Sequence, residues 1–248
     1  MVLAPSPYEF LEPADVTRGN VTAAVTDRLR SAIVTLALRP GEVLDKTLIC
    51  DRLGVSRFPV SEAFARLQAE GLVDIAPQRG STVSLVRLAE VSEYFLIRKA
   101  LECEALRVLI GNHPESLVPS LAENLDAQRT ASDADDREGF HRLDLEFHDL
   151  LFTSMRFDRI RGVIEAARAN LDRARRLIAT PRRLAVTIAE HQAIADAIAA
   201  ADAAKAQTAM RAHIDAVMHE VFALARSQPE FFADGDQPTA GRDDFPFG

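Results

Sequence analysis

The tightest constraint on this chain is a run of starts and stops between Leu53 and Val83, LGVSRFPVSEAFARLQAEGLVDIAPQRGSTV. Gly54 closes one short helix over 47–53. Ser56 is placed to cap the next, with Pro59 tolerated in its first turn. Phe64 and Leu67 keep helical spacing until Gly71 stops them. Two alternating runs follow at 72–75 and 82–85, joined by Pro77, Gln78, Arg79 and Gly80, which is strand–turn–strand chemistry. Upstream, Val21, Val25, Leu29, Ile33 and Leu36 step by three or four, the stripe of an amphipathic helix. Arg39, Pro40 and Gly41 break that stripe. The order predicts a winged helix-turn-helix over 20–86, an α unit with a small β-hairpin wing.

Beyond 88 the texture is helical throughout. Breaks fall near 111–114, 132–136, 155–158, 180–181 and 200–202, and alanine dominates the later segments. About six helices of roughly 15–25 residues are expected, an all-α bundle over 88–226. The fold class is therefore mainly α. Residues 1–19 are expected to be flexible. Residues 227–248 hold turn formers and acid with little periodicity, and are expected to form a disordered acidic tail.

Composition removes other classes. The chain has 248 residues and a net charge of -8, with 48% hydrophobic and 27% charged residues, which is ordinary globular usage. No apolar stretch is long enough to span a membrane. The first residues lack the basic start and apolar core of a secretory signal. Cys50 and Cys103 form neither a disulfide framework nor a CxxC site. A cytoplasmic protein is the reading. The glycines never form GxG, so dinucleotide and Walker A loops are absent. Residues 20–86 alone carry a net positive charge, eight bases against seven acids.

In a winged helix the second helix of the pair enters the major groove, N-terminus first. Arg57 can fork to guanine or clamp a phosphate there. The hydroxyls of Ser56 and Ser61 and the free N–H groups of the helix start can bind phosphate. Arg79 and Gly80 at the wing tip can approach the minor groove. Solvated surface charge is the plain alternative for both arginines.

In the helical half, Asp144 and His148 lie four apart and share one helix face. His191 and His213 fall on two later helices. One carboxylate and three imidazoles suit a divalent metal, zinc first, with nickel, manganese or iron as alternatives. A carboxylate ligand can fill the remaining positions. A simple i,i+4 pair also accounts for Asp144 and His148, and His141 competes for the same face. His219 falls on the wrong side of its helix, and His113 sits beside Pro114 in a loop.

The 53–83 run resembles the DNA-binding domain of GntR-family transcription regulators. That resemblance covers about 20–86 and implies DNA contacts at Arg57, Arg79 and Gly80. Two positions depart from the family: Phe58 stands where threonine is usual, and Ser61 where an arginine commonly contacts DNA. The helical half resembles the FCD effector domain of one GntR branch. Arg98 and Glu102 match its R-x-x-x-E opening, Asp144, Phe147 and His148 its D-x-x-F-H element, and His191 and His213 its later histidines. The resemblance implies a divalent metal held by Asp144, His148, His191 and His213 that helps bind a small carboxylate. Arg98 is placed where family members reach the ligand. Arg173 and Arg176 are further candidates, since a guanidinium pairs naturally with a carboxylate. Asn170 is a weaker one. For Arg173, Arg175 and Arg176 a solvated basic face is the plain alternative.

The expected function is ligand-responsive transcription regulation without enzymatic activity. The expected partners are a palindromic double-stranded operator, a small organic acid and a second copy of the chain. A metal-dependent enzyme with a DNA-binding-like accessory domain is the alternative, and against it there is no evident general base beyond the ligands.

Overall fold

The computed structural model describes residues 8–11, 21–166 and 168–234. Its N-terminal half comprises α1 (Val21–Val34), β1 (Val43–Leu44), α2 (Lys46–Leu53), α3 (Arg57–Ala69), β2 (Val73–Ala76) and β3 (Gly80–Val83). Asp45 caps α2, its carboxylate accepting from Thr47 N at 2.8 Å and Leu48 N at 3.0 Å. Gly54 ends α2 at φ 67°, a left-handed conformation that glycine adopts without penalty. The predicted hairpin forms with Val73 opposite Val83 and Ala76 opposite Gly80. The short β1 adds a third strand, giving the antiparallel order β1-β3-β2. Two residues are too few for an alternating pattern, so β1 left no signal in the sequence.

Val25, Leu29 and Ile33 of α1 meet Ile49, Leu53, Phe64 and Leu67 in one core. The α1 stripe stops earlier than its periodicity suggests. Leu36 turns out of the helix at φ 64°, and Leu38 takes the fully buried position. The N-terminal stretch also differs from expectation at residues 8–11. Tyr8 and Leu11 are buried, and the Tyr8 hydroxyl accepts from Asp45 N at 2.9 Å. Arg52 donates to the Tyr8 carbonyl at 3.1 Å and the Glu9 carbonyl at 2.7 Å. The rest of 1–19 lies outside the described residues.

The C-terminal half has seven helical segments among the described residues: α4 (Leu88–Leu109), α5 (Leu117–Asp133), α6 (Arg137–Thr153), α7 (Asp158–Ala166), α8 (Arg168–Leu177), α9 (Pro181–Ala199) and α10 (Ala203–Ser227). One stretch read as a single helix carries both α7 and α8. Caps mark the breaks. Asp136 accepts from Gly139 N at 2.8 Å, Thr180 from Arg183 N at 3.2 Å, and Asp202 from Lys205 N at 2.9 Å. Helix α10 packs along α4 and α9, while α5 packs on α6 and α9. Leu106, Phe147, Ile194, Met210 and Ile214 are among the buried residues of that core.

The acidic tail was expected to be disordered from 227, and residues 228–234 correct this. A 3-10 turn at Pro229–Phe231 returns the chain to the domain junction. Val86 N donates to Phe231 O and Ala233 N to Val86 O, both at 2.9 Å, and Phe232 is buried. Tail composition could not reveal this, because the partner, Val86, lies far back in the chain. The remainder of the tail lies outside the described residues.

Candidate functional site

Four helices converge on one buried polar cluster. Helix α6 carries Asp144 and His148 one turn apart, α9 carries His191, α10 carries His213, and α4 carries Arg98 and Glu102. All six side chains are buried in the bundle. One ring nitrogen from each of His148, His191 and His213 lies within 4.8 Å of the others.

Each imidazole is held from behind. His148 Nδ1 lies 2.7 Å from Glu102 Oε2. His191 Nδ1 lies 3.0 Å from Gln128 Oε1, and His213 Nδ1 lies 2.8 Å from Glu190 Oε2. The orientation of Gln128 is itself set. Its amide nitrogen donates to Asn124 Oδ1 at 2.7 Å, and Asn124 donates to Leu143 O at 3.1 Å. Gln128 Oε1 can therefore only accept, so His191 carries its proton on Nδ1 and keeps a lone pair on Nε2. Phe147 stacks on the His191 ring at 4.1 Å and 5°, which fixes its plane. The Nε2 atoms of all three histidines, and Asp144 Oδ1, are buried without a hydrogen-bond partner among the described residues. His191 Nε2 and Asp144 Oδ1 are 3.7 Å apart, close enough to share a third atom but too far for a hydrogen bond.

The electrostatics suit ligation. Burial pushes His148, His191 and His213 below the ordinary imidazole value, so all three are held neutral, the form that binds metals. Burial pushes Asp144 up, but Arg175, His148 and His191 together outweigh it: Arg175 Nη2 donates to Asp144 Oδ2, and the carboxyl stays well below its usual range. Burial also pushes Glu102 up. Arg98, donating from Nε to Oε1 at 2.6 Å, reverses this with help from His148. Burial raises Glu190, and Arg183 partly offsets it. Among the described residues, these donors fit a divalent cation of the nitrogen- and oxygen-loving kind.

A cavity of about 280 Å³ opens beside Asp144. Arg137, His141, Arg175, Arg176 and Arg183 supply its polar wall, and Phe140, Ile178 and Leu184 its apolar wall. Thr35 and Leu36, in the turn that follows α1, close one side, so both halves of the chain touch this space. A smaller space of about 40 Å³ on the other flank is lined by Tyr94, Arg98, His148 and Arg175 among others.

The structure brings together Asp144, His148, His191, His213 and Arg98. It sets Arg176 on the cavity wall, paired with Glu138, its Nη2 donating to Oε1 at 3.0 Å. Arg173 is directed elsewhere, its Nη2 donating to the Ser84 carbonyl at the domain junction. Burial there pulls it down to about 10. The Asn170 side chain lies outside the described residues. His141 sits 3.6 Å from Asp172 on the cavity wall rather than among the three histidines. Sequence reasoning missed Gln128, Glu190 and Arg175 as site residues. Glu190 precedes His191 and was available as a signal; Gln128 left none.

On the DNA-binding face, Ser56 occupies the α3 N-cap position with no side-chain cap bond, and its hydroxyl is exposed. Arg57 is exposed, with Nη2 3.3 Å from Thr47 Oγ1. The Ser61 hydroxyl donates back to Arg57 O at 2.8 Å. Arg79 and Gly80 are exposed at the wing turn, and Gly80 has φ 94°.

Residues 21–83 match the profile of bacterial regulatory proteins of the gntR family, and residues 93–216 match that of the FCD domain. The chain belongs to the GntR family. It is a DNA-binding transcription regulator of that family with an FCD effector-binding domain. This GntR regulator is 36% identical over 207 residues to an HTH-type transcriptional regulator in an unstable DNA locus of Streptomyces ambofaciens, spanning 83% of this chain and 87% of that one. It is 31% identical over 210 residues to the HTH-type transcriptional repressor RspR of Escherichia coli strain K12, spanning 83% and 91%. A GntR transcriptional regulator structure from Rhodococcus sp. RHA1 superposes with a TM-score of 0.67 at 25% identity, covering 82% of this chain and 97% of that one. The E. coli McbR/YncC structure superposes at 0.66 with 21% identity, covering 83% and 98%, and shares the fold. Among the described residues no helix is long and apolar enough to cross a membrane.

Proposed function

We propose that this GntR regulator is a metal-assisted sensor of a small organic acid, with Asp144, His148, His191 and His213 as the metal ligands. The observation that carries the reading is the set of three Nε2 atoms and one carboxylate oxygen, buried together without hydrogen-bond partners among the described residues, while Glu102, Gln128 and Glu190 approach the three Nδ1 atoms from behind at 2.7, 3.0 and 2.8 Å. Leaving such atoms unpaired costs roughly 1–3 kcal/mol each. A divalent ion relieves all four, and when bound it supplies positive charge and open positions for a carboxylate. Zinc fits this donor set, as do nickel, manganese or iron.

The chain's own residues do the rest. Glu102, Gln128 and Glu190 hold the rings in place. Arg175 orients Asp144 and stands at the mouth of the adjoining cavity, where a bidentate guanidinium can take the acid's second oxygen. Arg98 and Arg176 add positive charge on the two flanks. A ligand in the larger cavity meets Thr35 and Leu36, so its presence biases how the DNA-binding half sits on the bundle and thereby changes operator affinity. Ser56, Arg57, Ser61, Arg79 and Gly80 form the contact set for DNA. Two copies reading the halves of a palindromic operator, in the cytoplasm, complete the reading. The relatives are regulators of transcription, and no feature of the site favours the metal-dependent enzyme.

The test is a thermal-shift series of the full chain with small mono-, di- and hydroxy-carboxylates, with and without a chelator. A ligand at a hundred times its Kd adds about 2.7 kcal/mol of stability. The expected result is a carboxylate whose shift disappears on chelation and in His148→Ala. Melting indifferent to chelator and to every acid tested would end the metal-sensor reading and leave the DNA-binding assignment intact.

A further inference from the structure

The reading helix α3 presents an apolar ring where polar base readers are expected. Pro59, Val60, Ala63, Phe64 and Leu67 face the core, which leaves Phe58, Glu62 and Ala65 exposed along the opposite side with Ser61 beside them. Phe58 is 71% exposed, more than any other large hydrophobic side chain described. It follows Arg57 directly, in the first turn of the helix that leads into the major groove. Isolated apolar residues on a surface are ordinary, but this one occupies the part of the molecule that meets bases. The neighbouring polar group is committed, since the Ser61 hydroxyl proton goes to Arg57 O. Beside the Ser56 hydroxyl at the N-cap, the first turn therefore offers one cation and one ring.

In the major groove the one apolar group on a base edge is the thymine 5-methyl. The hydrogen-bond donors and acceptors there are covered by a phenyl ring only at a desolvation cost, and the cytosine C5–H offers far less apolar surface than a methyl. A ring held beside an arginine thus favours thymine next to the base or phosphate that Arg57 takes. We propose that Phe58 is a specificity-determining residue that selects a thymine in each operator half-site by burying its methyl group. This concerns the DNA-binding half alone and stands whether or not the bundle binds metal.

The experiment starts by selecting duplexes from a random library with the full-length protein. Each thymine of the enriched site is then replaced by uracil, which removes the methyl and leaves every hydrogen-bonding group in place. The expected result is about fourfold weaker binding at one thymine per half-site, the ratio that burial of one methyl supplies. The effect should vanish in Phe58→Ala and persist in Phe58→Leu. Phe58 is exposed, so both variants should melt like the parent. Equal affinity for thymine and uracil at every position, or discrimination retained in Phe58→Ala, overturns the proposal. So does a selection that enriches no consensus. A Phe58→Ala variant with unchanged base preference but altered self-association would reassign the ring to a protein contact and overturn it too.

Discussion

Gln128 is uncharged and matches no motif, yet it decides which nitrogen of His191 faces the cluster. Its amide is pinned by Asn124, so the oxygen side meets the imidazole N–H. Removing such a support costs a metal site tenfold to a hundredfold in affinity. On the proposed metal-sensor reading, Gln128→Ala is expected to weaken zinc binding in that range, measured by calorimetric titration, with the proposed ligands themselves intact. Unchanged affinity would show that His191 is oriented by Phe147 stacking alone. Arginine assignments turn on the same kind of detail. Arg173 and Arg175 are two residues apart on α8, hence about 200° apart around the helix. Arg173 therefore reaches Ser84 while Arg175 reaches Asp144. A list of basic residues cannot supply that phase, because it is set by which face of α8 the bundle buries.

At the scale of elements, α4 gets its cap from the far end of the chain. Arg87 holds the N-cap position without a side-chain capping bond. Instead Asp234 accepts from Leu88 N at 2.9 Å and from Ala89 N at 3.2 Å. A carboxylate there satisfies orphan N–H groups and faces the positive end of the helix dipole. Asp234→Ala is expected to lower stability by about 1 kcal/mol, with Asp234→Asn retaining most of it. Urea unfolding measures both, and an Asp234→Ala variant as stable as the parent would show that the strap contributes only through Phe232. The strap also joins α10, which carries His213, to the junction at Val86. Local elements were legible where glycine, proline and caps punctuate periodic runs, as at Gly54 and Thr180. This return was illegible, since nothing in 228–234 names its partner.

Across the whole molecule, buried neutral histidines link stability to pH. His148, His191 and His213 titrate below their ordinary value when folded, while the unfolded chain takes up protons near 6.5. Below that pH the unfolded state binds more protons, so the stabilisation present above 6.5 is lost as pH falls. Each histidine kept fully neutral gives up about 1.4 kcal/mol by one pH unit below 6.5. Glu102 and Asp144, held low, keep their contribution until the pH drops below the ordinary carboxylate range. Metal-free protein is thus expected to be clearly less stable at pH 5.5 than at 7.5 in denaturant unfolding. A flat profile across that window would mean that the three imidazoles are not held neutral.

Periodicity and punctuation determined the winged helix, the helical bundle and the shared face of Asp144 and His148. Those features depend on chain geometry over a few residues, and residue order encodes that geometry directly. Tertiary structure alone decided that His191 and His213 meet His148, that Glu102, Gln128 and Glu190 stand behind them, and that Arg175 rather than Arg173 serves Asp144. Those outcomes depend on the rotation and offset of helices far apart in the chain. Burial over the whole core sets both, and no local spacing records them.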